Sequence, residues 1–274
     1  MCRAVLSGVV LLAAAVLIGP NAARADALQR PNVVLVVIDT TRADHMGLYG
    51  YARDNTPNLD AFARQAVVFE NAYAPSTWTM PSFASLLLSR HAYNHNKNTY
   101  ADAGGQVNGT LLYDYLRRDG YYTYSVQTNQ VVLNLAKGLD QQYFVDAFAD
   151  DFCDEEAVDH ACDFFAGEQA QSPFFAFIGL MSPHWPYNPL NPHWPAYLQD
   201  AVQLALPELD ADLPREQGDL YTQSELPQEV LDIVGPPTLP DGTYDDYRLY
   251  LAAYDAEIKY VDEQVQRLFD ALQD

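Results

Sequence analysis

Cations are scarce in this chain: 15 lysines and arginines stand against 37 aspartates and glutamates, a formal charge of −22. A field of that sign repels polyanions, which argues against nucleic acid and anionic membrane surfaces as partners. An anionic small substrate needs local cations or a metal to reverse the field at its site. Cysteine is scarce as well, with three residues, Cys2, Cys153 and Cys162. They include no close-paired motif of the kind that binds zinc, so a metal site of the two later cysteines with Asp154, Glu155 and His160 is the weaker reading. Long apolar runs are missing after residue 18, and none of the remaining stretches suits a membrane span. Internal repeats and low-complexity tracts are absent.

What the N-terminus does contain is the layout of a secretory signal. Arg3 is followed by the apolar run Val9 to Ile18 and by two A-x-A patterns, Ala23-Arg24-Ala25 and Ala25-Asp26-Ala27. The expectation is a signal peptide over 1–25, no stable membrane anchor, and a periplasmic or secreted domain over 26–274. Cleavage removes Arg3 and Arg24 and no anion, taking the charge from −22 to −24. In an oxidising compartment Cys153 and Cys162 are expected to pair. A loop that small would gain roughly 2–3 kcal/mol from the link.

The stretch from Pro31 to Tyr51 organises the rest. Val33 to Ile38 is six apolar, mostly β-branched residues, the pattern of a parallel strand covered on both faces. It runs straight into Asp39, then Thr40, Thr41, Arg42, Asp44 and His45. Open α/β sheets bind ligands at the carboxyl ends of their strands. A carboxylate there can hold a cation, and it can equally do no more than cap a turn.

Thr56-Pro57-Asn58 opens a predicted helix over Leu59 to Val67, and Val67 to Tyr73 reads as a short strand or an extended piece. The loop Ala74 to Ser82 then enters a helix at Phe83 to Leu88. Thr79 and Ser82 lie at that entry, where N–H groups and the macrodipole favour an anion. A hydroxyl so placed can serve as a nucleophile; the plain alternative is that Thr79 caps the helix with Pro81 in its first turn. Further helices are expected at Leu111 to Arg118 and Ala157 to Ala166, and a strand at Tyr121 to Val126. The acidic run Asp150 to Glu156 reads as a solvated face. Phe174 to Met181 is a further buried strand, followed by Ser182-Pro183-His184-Trp185-Pro186. Prolines on both sides of the His184-Trp185 pair restrict the backbone that carries the imidazole. Residues 188–243, rich in proline and acids, read as a surface insert, a lid or a substrate-selecting element. Tyr244 to Leu272 is a strongly amphipathic helix.

In their order, these stretches resemble the sulfatase family of the alkaline-phosphatase superfamily. PNVVLVVIDTTRADHMGLYGY resembles its opening strand and first metal-binding aspartate. The segment TPNLDAFARQAVVFENAYAPSTWTMPSFASLLLSR resembles its nucleophile region, PFFAFIGLMSPHWPY its central strand with an active-site histidine, and YDAEIKYVDEQVQRLFDAL the helix before its last catalytic strand. The resemblance implies an α/β fold, a mostly parallel sheet with helices on both faces. It makes Asp39 and Thr79 metal ligands, Thr79 the nucleophile, His184 a catalytic residue in contact with substrate, and Ser82 and Arg42 substrate-binding residues. It also implies one divalent metal (calcium, or manganese, zinc or magnesium) and a small-molecule, glycan or lipid sulfate or phosphate ester as substrate.

The motif departs from the family's in ways that matter. The family's C/S-x-P-x-R is here Thr79-Met80-Pro81-Ser82-Phe83, and threonine cannot become formylglycine, so no formylglycine is expected. The threonine version resembles the superfamily's phosphoglycerol and phosphoethanolamine transferases. Thr40 stands where many sulfatases carry a second aspartate. The family's remaining Asp-His or Asp-Asn ligands follow the last helix, so the expectation is a fold incomplete at its C-terminus, with an apolar patch left open. The rival reading is a truncated or degenerate relative that binds an anionic ligand or a protein without catalysis.

Overall fold

The structure, a computed structural model, describes residues 30–97, 107–147, 153–171, 173–185, 187–188, 190–201, 228 and 247–273. The proposed signal peptide and most of the 188–243 insert lie outside the described residues. From Asn32 onward the chain forms one compact unit.

Among the described residues four parallel strands make the sheet: β1 (Val33–Ile38), β2 (Tyr122–Gln127), β3 (Gln141–Phe144) and β4 (Phe174–Leu180), side by side in the order β1-β4-β2-β3. Parallel neighbours cannot be joined by tight turns, so helices carry the chain between them. In chain order the α-helices among the described residues are α1 (Pro57–Ala63), α2 (Thr79–Leu88), α3 (Leu112–Arg118), α4 (Cys153–Phe165), α5 (Trp194–Ala201) and α6 (Tyr247–Ala271).

The two-residue period of the strands sorts their side chains into two layers. Phe175 and Phe177 of β4 face α2, packing with Met80, Phe83 and Leu87. Ala176, Ile178 and Leu180 face the other way, onto Val158 and Ala161 of α4 and Val261, Val265 and Leu268 of α6. Each phenylalanine fully buried this way stabilises the fold by about 1.5–3 kcal/mol. The expected sheet with helices on both faces is therefore what the chain builds.

Several expectations change in detail. β1 reads as an interior strand, but all six of its residues are only half buried, because it lies at the edge of the described sheet. Beside it runs an apolar groove of about 590 Å³ lined by Val34, Val36, Ile38, Phe62, Val265 and Phe269. Elsewhere α6 is well covered, from Leu249 to Leu268. Val67 to Tyr73 forms no strand; Val67 and Phe69 are 82% and 69% exposed. Strand-like composition needs a partner strand to pair with, and none is described there. β3 was not anticipated.

The expected disulfide is contradicted: Cys153 and Cys162 are free thiols on α4. Nine residues of helix separate their Cα atoms by about 13 Å, well beyond the roughly 7 Å that a disulfide tolerates. The acidic run is not a solvated face throughout either. Asp154, in the first turn of α4, is completely buried. The start of the insert is also structured: Trp194 and Leu198 of α5 are buried against Leu249, Ala252 and Ala256.

Local helix signals are partly replaced by distant ones. Thr56 does not cap α1. The Asp262 carboxylate of α6 does so, accepting from the backbone N–H groups of Asn58 (3.0 Å) and Leu59 (2.9 Å). The Thr56 hydroxyl instead donates to Asp60 at 2.9 Å and accepts from the Gly47 N–H at 3.0 Å.

Candidate active site at the carboxyl edge of the sheet

Asp39 leaves the end of β1 in a turn whose next residue, Thr40, has φ +54°. A β-branched residue in the left-handed region is strained, and the surroundings hold it there. The Tyr254 hydroxyl of α6 donates to the Thr40 carbonyl (2.8 Å) and accepts from the Arg42 N–H (2.9 Å). The Asp39 N–H donates to the Leu180 carbonyl at 3.0 Å, fixing the turn to the end of β4. Asp39 is thus a buried carboxylate on a rigid mount.

Two side chains donate to the same oxygen of that carboxylate. Thr79, the first residue of α2, donates from Oγ1 to Asp39 Oδ2 at 2.9 Å. Asn129, just past β2, donates from Nδ2 at 3.0 Å. The capping alternative for Thr79 fails, because the N-cap position belongs to Trp78 and the Thr79 hydroxyl points away to Asp39. The Asn129 amide is oriented by its other end, since Oδ1 accepts from the Val131 N–H at 3.0 Å. That leaves Nδ2 as the only group it can turn to Asp39.

The other anticipated residues are placed differently. Ser82 Oγ sits with the carbonyls of Ser76 (3.1 Å) and Trp78 (2.9 Å), where its single proton ties the loop to the helix. The Arg42 guanidinium is mostly exposed and grips Asp44 at 2.6 Å. The guanidinium hydrogen bond and charge hold the Asp44 carboxyl below its usual range. His184 is half buried, and its N–H donates to the Met181 carbonyl at 2.8 Å. Its Nδ1 contacts the Trp185 carbonyl. A carbonyl can only accept, so in this contact Nδ1 carries the hydrogen. β1 and β4 are paired in register, Ile38 opposite Leu180, so Asp39 and the His184 turn leave the sheet at one level. No direct contact joins His184 to Asp39 or Thr79 among the described residues.

The carboxylate and the alcohol suit one side of a hard-cation site, with Thr41 Oγ1 buried and unpartnered among the described residues two positions from Asp39; the Asn129 oxygen is turned away, to the Val131 N–H. Among the described residues no three His, Cys, Asp or Glu side chains gather as a complete metal site. Asp39 and Thr79 therefore fit one side of a coordination shell.

Sequence reasoning passed over Asn129, which follows the strand expected at Tyr121 to Val126. Its signal was the polar run Gln127-Thr128-Asn129 at the carboxyl end of β2. It also passed over two buried carboxylates behind the His184 turn, Asp154 and Glu257. Burial pushes both carboxyls up, Glu257 to about 7 against hydrogen bonds from Ser182, Asn191 and Asn188. Glu257 ionises more readily unfolded than folded. Its contribution to stability is complete below about pH 4.5 and is lost as the pH rises through about 7. The expected loss is about 3 kcal/mol. Urea midpoints at pH 5 and pH 8 measure it; Glu257→Gln should show the smaller drop, and an equal drop in both proteins would disprove the assignment.

The fold finds its counterpart in known proteins. The family profile described as Sulfatase matches residues 31–274. Human iduronate 2-sulfatase is 24% identical in an alignment covering 97% of this chain and 56% of that protein. A solved structure in complex with its substrate D-glucosamine-2-N,6-O-disulfate superposes with a TM-score of 0.65 at 19% identity, covering 89% of this chain and 62% of the other. The C-terminal periplasmic domain of EcEptC from Escherichia coli, solved in complex with Zn, gives a TM-score of 0.55 at 18% identity, covering 89% and 59%. The chain spans somewhat more than half the length of these proteins.

Proposed function

The chain belongs to the sulfatase family, and from that premise we propose that it is the part of an exported, metal-dependent hydrolase or transferase that attacks sulfate or phosphate esters with the Thr79 hydroxyl. The observation that carries this reading is the 2.9 Å hydrogen bond from Thr79 Oγ1 to the buried carboxylate of Asp39. A general base in contact with a hydroxyl is the minimum that an alcohol nucleophile needs.

In this reading Thr79 Oγ1 forms a bond to the sulfur or phosphorus of the ester as the bond to the leaving oxygen breaks. The Thr79 proton passes to Asp39 Oδ2, and the departing alkoxide takes a proton from His184 or from water. Hydrolysis or transfer to an acceptor hydroxyl then frees Thr79. Asn129 Nδ2 fixes the carboxylate while this happens. Arg42 and Ser82 are the candidate substrate contacts in this reading. A divalent cation (calcium, or manganese, zinc or magnesium) held in part by Asp39 and Thr79 would supply positive charge against the ester's anionic oxygens. The relatives point to a sulfated glycan as one substrate class. Residues 1–25 would direct export, and the 188–243 insert would select the substrate.

The test traps the intermediate. The protein from its own cells is mixed with an aryl sulfate or an aryl phosphodiester, quenched in acid and digested. We expect the peptide containing Thr79 to gain one sulfo or phospho group, and turnover to stop with chelator and return with a divalent cation. An unmodified peptide together with chelator-resistant turnover would rule the reading out. The non-catalytic alternative is favoured by one observation, that Asp39 is the only carboxylate in contact with Thr79 among the described residues. It predicts no turnover and no change in melting temperature with chelator.

A further inference from the structure

Two buried carboxylates that the proposed chemistry does not use lie against the two ends of the segment that carries His184. Asp154, on α4, is fully buried. It accepts from the Met181 N–H at 2.7 Å, from the Ser182 N–H at 2.8 Å and from the Thr128 hydroxyl at 3.3 Å. Thr128 precedes Asn129, so this one carboxylate ties together the strand ends that carry Asn129 and His184. Glu257, on α6, is 3% exposed and accepts from the Asn188 N–H at 2.9 Å and from Asn191 Nδ2 at 3.2 Å. The far end is stiffened further by turns in which the Asn188 and Asn191 side chains accept from the N–H groups of Leu190 (2.8 Å) and His193 (3.0 Å).

Neither carboxylate has a cationic partner among the described ion pairs. A buried anion without one costs stability, and an apolar residue would fill either position at lower cost. What both do in common is receive hydrogen bonds from the loop between residue 181 and residue 191. His184 lies inside that loop, on the same sheet edge as Asp39.

We propose that Asp154 and Glu257 are positioning residues that clamp the two ends of the His184 loop and so hold its imidazole at the Asp39–Thr79 site. Positioning, rather than packing, explains why a hydrogen-bonding carboxyl stands at each place where no charge partner exists. The step from position to rate rests on the ester-cleaving reading, so the test has one readout that needs no turnover.

That readout is the imidazole NMR signal of His184, assigned with His184→Gln in the full chain. In Glu257→Gln and Asp154→Asn we expect it to shift or broaden while the other histidine signals stay. The second readout is a double-mutant cycle on ester turnover. Each substitution should lower kcat by about tenfold, the scale on which misplacement acts. Neither should lower it further once His184 is alanine, because both act through that ring. If Glu257→Gln does not fold, Asn191→Ala removes one of its hydrogen bonds from the loop side and should shift the signal in the same direction by less. An unmoved His184 signal, or losses that multiply in the His184→Ala background, overturns the clamp. A shifted signal in a protein that turns over no ester leaves the clamp standing and removes the catalytic reading instead.

Discussion

Replacing Asp255 with alanine is expected to cost the fold about 3–5 kcal/mol, the scale for breaking a buried ion pair by removing one partner. Asp255 is completely buried, and four donors converge on it. Oδ1 meets His45 Nδ1 at 2.6 Å and Asn55 Nδ2 at 2.9 Å; Oδ2 meets the Tyr51 hydroxyl at 2.7 Å and Arg53 Nη1 at 2.8 Å. The alanine would leave the Arg53 guanidinium, only 14% exposed, without its carboxylate, and three further polar groups short of an acceptor. Domains of this size are stable by only about 5–15 kcal/mol, so the loss is a large share of the whole. Asp255→Asn keeps the shape but gives up the charge, and should fall between the two proteins. Equilibrium urea unfolding measures all three; a loss below about 1 kcal/mol in the alanine variant would contradict the hub.

The consequence reaches the site, because the four donors all come from residues 45–55, the stretch that follows the Asp39 turn. Tyr254, the neighbour of Asp255 on α6, clamps that turn directly through Thr40 and Arg42. Burial pushes the Tyr254 phenol up to about 12, so it stays a neutral donor throughout the physiological range. The last helix therefore positions the first strand's carboxylate from some two hundred residues away.

That distance explains what could be read from the chain and what could not. β1, β2, β4 and the final helix announce themselves through local periodicity, because burial imposes a period of 2 or 3.6 on adjacent residues. Asp39 was legible for the same reason: it ends an apolar strand. β3, Gln141–Phe144, has two polar residues and two exposed aromatics, so it carries little of that imprint. The Cys153–Cys162 expectation rested on compartment and spacing, and failed because both residues fall on one helix. Asn129, Asp154, Asp255 and Glu257 are set by partners far along the chain, and a polar residue gives no local sign of whether water or a distant N–H will satisfy it. The clearest case is Asp262, whose capping of α1 leaves Thr56 free for another task.

The largest functional effect is expected at Thr79. Thr79→Ala removes the only side chain at the carboxyl edge that pairs a hydroxyl with Asp39 among the described residues, and should reduce turnover by about a thousandfold or more, as loss of a nucleophile does. The fold should survive, because Asn129 still donates to the Asp39 carboxylate. Melting temperature checks that. Thr79→Ser keeps the hydroxyl but frees its rotation, since the methyl group that restricts χ1 is gone. It should keep measurable turnover, reduced by about tenfold for the same reason that a misplaced nucleophile slows any attack. The neighbouring hydroxyl gives the decisive comparison. Ser82 holds the Ser76 and Trp78 carbonyls and makes no contact with Asp39. If Ser82→Ala proved more damaging to kcat than Thr79→Ala, the nucleophile would be Ser82, and the 2.9 Å bond between Thr79 and Asp39 would be a structural tie alone. With Thr79 as the nucleophile, alanine at 79 abolishes both turnover and the trapped adduct, while serine at 79 retains both.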